Sequence, residues 1–241
     1  MLDILAFGAH PDDCEISMGG TLAAMKEKGA KIGICDLTRG ESGTYGSPEI
    51  RAREAASAAE ILGLDARETL DIPDGNVRNT EKNRAMIIEV IRKYRPSAVF
   101  APVSETRHPD HAQCGIIVKE CAFLAGLEKI EDGNQPYRPD SLFRYPELSF
   151  SAPDFIFDVS LVWEKKIKSI MAYESQVTAD GEDDSGNKTF IRTHDLWKLI
   201  EARGKMAGGM IRVKYGEPFY CTVPPGINDI FSIIPRTTVK K

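Results

Sequence analysis

Three of the four histidines in the chain stand in two short stretches, Ala9-His10-Pro11-Asp12-Asp13 and His108-Pro109-Asp110-His111. Imidazole and carboxylate both ligate first-row divalent metals, and a carboxylate left off the ion can serve as a base. Adjacent residues on a turn point in different directions, so Asp12 and Asp13 can divide those two jobs. His10, Asp13 and one of His108 and His111 would make a three-ligand site with a position left for water. Catalytic zinc centres have that form, whereas structural ones close all four positions. The plainer reading makes these residues helix-terminal polar groups, with one Asp capping the first helix and Asp110 the second. It accounts for each stretch alone but poorly for their recurrence in one layout.

That layout is an apolar run, a polar loop and a helix. Ile4-Leu5-Ala6-Phe7 reads as a buried strand ending at Gly8, followed by a helix over Cys14 to Met25 closed by Gly29. Ala98 to Val103 is a strand of the same kind, followed by the helical run Ala112 to Lys119. Between them lie a strand over Lys31 to Thr38 and a helix capped by Ser47, with Pro48 at its first position, up to Leu62. A short strand at Thr69 to Ile72 meets the turn Pro73-Asp74-Gly75-Asn76. A helix from Thr80 then carries Met86, Ile87, Val90 and Ile91 and ends before Pro96.

This alternation predicts an α/β fold: a Rossmann-like, doubly wound, mostly parallel sheet flanked by helices. In the usual order 3-2-1-4, strands one and four are neighbours, and both loops face one sheet edge. The second half is less regular. Strands are expected at 142–145 and 155–159, a helix from Ser160 to about Tyr173 and a polar loop over 178–188. A helix from His194 to Met206, stopped by Gly208-Gly209, and a strand over 218–223 complete the chain. We expect one domain over 1–241, with the Rossmann-like core at about 1–128 and an elaboration at about 129–241.

Composition narrows the partners. A formal net charge of -5 with no Lys/Arg block argues against nucleic acid and anionic membranes. No apolar run approaches ~18 residues, so no membrane span is expected. The first strand begins within three residues of Met1, which leaves no visible secretory signal. Five cysteines, an odd number without CxxC spacing, fit neither a disulfide framework nor a thiolate zinc site. The cytoplasm is the expected compartment.

His10-Pro11-Asp12-Asp13 together with His108-Pro109-Asp110-His111 resembles the LmbE/PIG-L family of metal-dependent N-acetylglucosamine deacetylases. The likeness extends to Leu5 through His10, Gly33 through Thr38 and Ala172-Tyr173-Glu174-Ser175-Gln176. Within the family it looks closest to the bacillithiol-pathway branch, which deacetylates N-acetylglucosaminyl-malate; another N-acetylglucosaminide, such as chitobiose, is the alternative substrate. By position, the resemblance implies His10, Asp13 and His111 as zinc ligands and Asp12 as general base. It implies His108 as oxyanion stabiliser, oriented by Asp110, and Arg51 as a substrate-binding residue. It also implies a homo-oligomer, with a hexamer as one form. Some relatives carry a tyrosine near residues 194–197, where this chain reads His194-Asp195-Leu196-Trp197.

The same residues suffice physically for amide hydrolysis. Zinc lowers the pKa of bound water towards ~7 and polarises the carbonyl, while Asp12 takes the proton and returns it to the nitrogen. A protonated His108 beside Asp110 would hold the developing charge, worth about 3 kcal/mol. His/Asp sites also accept iron as Fe2+, manganese or cobalt. Arg51 can clamp a substrate carboxylate or simply pair with Glu54. Glu15 and Asp36 are candidates for supporting the site, and Trp163 and Trp197 for the core. A noncatalytic Rossmann-type nucleotide- or sugar-binding protein is the rival; Gly8 to Gly20 lacks GxGxxG and places acids where phosphates would sit.

Overall fold

Every residue of β1 (Ile4–Gly8) is buried, and its alternating side chains feed two different cores. The computed structural model describes residues 1–130, 132–147, 149–177 and 194–233; the stretch expected as a polar loop, 178–188, lies outside them. Leu5 and Phe7 enter one core with α3 (Glu81–Tyr94) and α4 (Pro109–Leu124). Ile4 and Ala6 enter the other with α1 (Asp13–Glu27), α5 (Trp163–Met171) and α7 (His194–Met210). A strand apolar on both faces is what a central parallel strand covered by helices requires.

The seven strands run β3-β2-β1-β4-β5-β7-β6. β1 pairs in parallel with β2 (Ile32–Asp36) and β4 (Ala98–Pro102), β2 with β3 (Ala66–Thr69), and β4 with β5 (Ser141–Tyr145). β7 (Gly216–Cys221) is antiparallel to both β5 and β6 (Phe155–Asp158). The expected doubly wound, mostly parallel sheet and its 3-2-1-4 start are therefore present. β1 and β4 are neighbours at the switch point, and their carboxyl ends open onto one crevice. Helix α2 (Pro48–Leu62) starts as expected, with Ser47 Oγ accepting the Ile50 N–H at 3.3 Å, and α6 (Glu174–Val177) is a single turn.

Four local expectations are corrected. β3 occupies Ala66–Thr69 rather than 69–72, because register pairs Gly33 with Ala66 and Asp36 with Thr69. The chain beyond it stays attached to β2 by Leu70 N–H to Asp36 O at 2.8 Å. The helix expected from Ser160 begins at Trp163, since Ser160 Oγ is occupied accepting the N–H groups of Lys214 and Tyr215, both at 3.1 Å. Gly208-Gly209 does not stop α7, which runs to Met210. A Cβ on Gly208 would lie 2.8 Å from Tyr215 N, so glycine serves close passage of that chain. Finally, α1 breaks at Met18 (φ -143°, ψ 16°), and Glu217 caps its second part by accepting the Gly20 N–H at 3.0 Å and the Thr21 N–H at 2.6 Å.

Among the described residues, no helix is long and apolar enough to cross a membrane. The described cysteines are free, and four of the five are buried.

Candidate active site

His10 leaves the carboxyl end of β1, and His111 lies in the first turn of α4, just after β4. Helix α4 sits low on β4 because residue 115 is glycine: a Cβ there would meet Pro102 O at 2.3 Å. That approach brings His111 Nε2 to 3.1 Å from His10 Nδ1. Asp13 completes a triangle, its Oδ1 3.2 Å from His111 Nε2 and its Oδ2 3.6 Å from His10 Nδ1. The His10 backbone N–H donates to the same Oδ2 at 2.9 Å, which fixes the carboxylate.

Ligands about 2.0–2.1 Å from one tetrahedral ion stand about 3.3–3.4 Å apart. Donor spacings of 3.1–3.6 Å fit such an ion. The residues behind the donors fit it as well. His10 Nε2 lies 3.0 Å from Asp74 Oδ1 and 3.5 Å from Asp110 Oδ2, and His111 Nδ1 lies 3.3 Å from Glu147 Oε2. Carboxylates on the outer nitrogens hold the protons there and aim the inner lone pairs at the ion, as around histidine-ligated metals generally. Burial would lower the pKa of His10, but Asp110, Asp13 and Asp74 raise it well above the ordinary imidazole range. Burial likewise opposes the Asp13 carboxylate, yet His111 and His10 hold its pKa far below the usual range.

Asp12 is left off this triangle. It occupies the cap position of α1 at φ 111°, left-handed for a residue with a side chain, and its carboxylate makes no capping bond. Burial pushes its pKa up to about 7 against the opposing charge of Arg51. Strain and a raised carboxyl pKa beside a cavity are what a proton-transferring group shows. The cavity holds about 320 Å³ and is lined by His10, Asp12, Asp13, Arg51, His108 and His111, among others.

Arg51 lies beneath the 10–13 turn, buried, with Nη2 donating to Pro11 O and standing 3.4 Å from Asp12 Oδ2. Its Nη1 donates to Gly40 O at 3.4 Å. The expected Glu54 partner is engaged elsewhere, accepting the Ser175 N–H at 2.6 Å. His108 caps α4, its Nδ1 accepting the Asp110 N–H at 3.2 Å. The Asp110 carboxylate turns the other way, accepting the Gly75 N–H at 2.7 Å and the Val77 N–H at 3.2 Å. Burial, then the charges of His111 and His10, lower the His108 pKa, which favours neutral His108 carrying its proton on Nε2.

Glu15 and Asp36 serve a buried network below the site. Arg67 donates to Glu15 at 2.6 Å and to both oxygens of Asp36 at 2.9 and 3.1 Å. Trp163 stacks on Tyr215 at 4.1 Å, and Trp197 packs against the core. His194 opens α7. Asp74 and Glu147 are the residues that sequence reasoning missed. Each follows the carboxyl end of a parallel strand, β3 or β5, a position that could have flagged both.

The family model for GlcNAc-PI de-N-acetylase, PIG-L, matches residues 5–122. Diacetylchitobiose deacetylase of Thermococcus kodakarensis is 31% identical over 189 residues, covering 73% of this chain and 71% of that one. The chain belongs to the PIG-L family. A PIG-L-like crystal structure, that of a conserved protein from Thermus thermophilus, superposes with a TM-score of 0.86 at 36% identity, over 95% of this chain and 99% of the other. The relatives also include 4-oxalmesaconate hydratase of Pseudomonas putida, 25% identical over 71% of this chain and 73% of its own. Both PIG-L motifs of this chain, His10 to Asp13 and His108 to His111, fall inside the matched segment.

Proposed function

We propose that the chain is a zinc-dependent N-deacetylase that hydrolyses the acetamide of an N-acetylglucosaminyl conjugate. One observation carries this reading: His10, Asp13 and His111 converge to metal-ligand spacing while the adjacent Asp12 stays off the triangle. A divalent ion held by those three supplies Lewis acidity and an acidified water. Asp12 accepts the proton of the attacking water and returns it to the departing nitrogen. Neutral His108 donates from Nε2 to the oxygen that becomes negative, a role that needs no imidazolium. Arg51 holds the carbonyl of Pro11 and the carboxylate of Asp12 in place.

N-acetylglucosaminyl-malate is the proposed substrate, on the motif resemblance; the Thermococcus relative supports chitobiose as the alternative. Amine release from a panel containing N-acetylglucosamine, the malate conjugate and chitobiose, with and without chelator, tests both. The Pseudomonas relative favours a second reading, water addition to an unsaturated acid. It predicts no amine from any member of the panel and loss of a conjugated C=C absorbance instead. We also infer a homo-oligomer, because Val223, Ile227, Ile230, Phe231 and Ile233 are all exposed on one C-terminal segment. Light scattering reads its stoichiometry. Free, buried thiols fit the cytoplasm.

A further inference from the structure

Resting on the metal-site reading above, we propose that Asp74 is a positioning residue that couples metal binding at His10 to ordering of the 40–46 loop over the pocket. Its carboxylate is shared. Oδ1 lies 3.0 Å from His10 Nε2, and Oδ2 accepts the Ser42 N–H at 2.9 Å. The Asp74 backbone reinforces the second attachment, its carbonyl accepting Ser42 Oγ at 3.2 Å and its N–H donating to Glu41 Oε1 at 2.8 Å. The Asp74 side chain is only 8% exposed, whereas Glu41, Ser42, Gly43 and Thr44 are all exposed. Ser42, Gly43 and Thr44 line the same cavity as the metal triangle.

The turn bearing Asp74 is pinned from its far side, where Asp110 accepts the N–H groups of Gly75 and Val77. With the turn fixed, a rotation of the Asp74 carboxylate that improves one bond weakens the other. A cation on His10 Nδ1 makes Nε2–H a stronger donor, which holds Oδ1 on His10 and thereby aims Oδ2 at Ser42. The 40–46 loop is then steadied at its outer part, between its anchors at Gly40 O and Tyr45 O. Linkage makes the effect reciprocal: whatever orders the loop tightens the metal.

The test uses the full chain in zinc-loaded and chelator-stripped forms. Zinc affinity is measured by competition with a chromogenic chelator, and hydrogen exchange is followed at amides 41–46. In the wild type, zinc should slow exchange at those amides. Asp74→Ala should weaken zinc by about 10–100-fold and abolish the zinc effect on exchange. Ser42→Pro removes only the N–H that meets Oδ2, and should weaken zinc by about 2–30-fold. Ser42→Ala keeps that N–H and should match the wild type. Loop exchange indifferent to zinc in the wild type, or wild-type zinc affinity in Ser42→Pro, overturns the coupling. Should Asp74→Ala fail to fold, Ser42→Pro alone decides. A His10→Ala control separates the two levels: if it binds zinc like the wild type, the metal-site reading itself is wrong.

Discussion

His10 Nδ1 and His111 Nε2 stand 3.1 Å apart, although 101 residues separate them in the chain. Strand order produces the meeting, because β1 and β4 are neighbours and each histidine leaves at or just beyond a carboxyl end. Asp74 and Glu147 hold protons on the outer nitrogens, which turns two lone pairs toward each other. Facing lone pairs repel unless a proton or a metal cation lies between them. The arrangement is built for a cation.

Loss of that cation should stop the reaction. We expect about one zinc per chain by elemental analysis, activity abolished by chelation and restored by added Zn2+. His10→Ala, Asp13→Ala and His111→Ala should each lower zinc content together with activity. Activity that disappears while the metal stays bound would count against this scheme.

Asp12 and Asp13 should separate under mutation. Asp12→Asn is expected to keep near-stoichiometric zinc and a folded protein while kcat falls by roughly 10²–10⁴. Substrate binding should persist, since the carboxylate acts mainly in the transition state. Asp13→Ala should lose metal and activity together. Zinc loss in Asp12→Asn with retention in Asp13→Ala would exchange the two roles.

Arg51 was expected to clamp a substrate carboxylate, and its surroundings give it another task. A guanidinium donating to Pro11 O and Gly40 O and facing Asp12 is largely committed inside the protein. Arg51→Lys keeps the charge but loses the fork that joins these groups. We expect kcat to fall, with similar factors on N-acetylglucosamine and on the malate conjugate. A rise in KM confined to the anionic substrate would return Arg51 to recognition.

Much of this frame can be read from the chain alone. Ile4 to Phe7 and Ala98 to Val103 are short apolar runs with no competing pattern, and Ser47-Pro48 and Thr80 are helix starts of the usual chemistry. The pairing of His10 with His111 follows from strand order once those runs are recognised. Asp74 and Glu147 were hidden because a carboxylate behind a histidine leaves no spacing signal; only the folded sheet edge brings Asp74 to residue 10 and Glu147 to residue 111. The break at Met18 was equally silent, since its cause is Glu217, almost two hundred positions away.

Glu147 should prove necessary to metal binding without touching the metal. Its Oε2 faces His111 Nδ1 at 3.3 Å and also accepts from Thr106 Oγ1. Glu147→Gln leaves an acceptor but removes the charge that steadies the imidazole proton. Zinc affinity should fall about 10–100-fold, with near-normal far-UV circular dichroism. Unchanged affinity would make Glu147 a loop anchor only.

The buried pair Lys166 and Glu217 should set stability rather than chemistry. Each is 2% exposed, and Glu217 also accepts from Gly20 N–H, Thr21 N–H and Thr21 Oγ1. The carboxylate thus closes the break in α1, and Lys166 neutralises it. Glu217→Ala would strand a buried ammonium and two helix N–H groups, a loss of about 3–5 kcal/mol. Lys166→Met/Glu217→Gln removes both charges while the glutamine oxygen still accepts one N–H, so it should cost less than Glu217→Ala. Urea denaturation of the metal-free protein measures both variants on one scale. If the double variant is the less stable, the ammonium does more than neutralise Glu217, and the capping account of the α1 break is wrong.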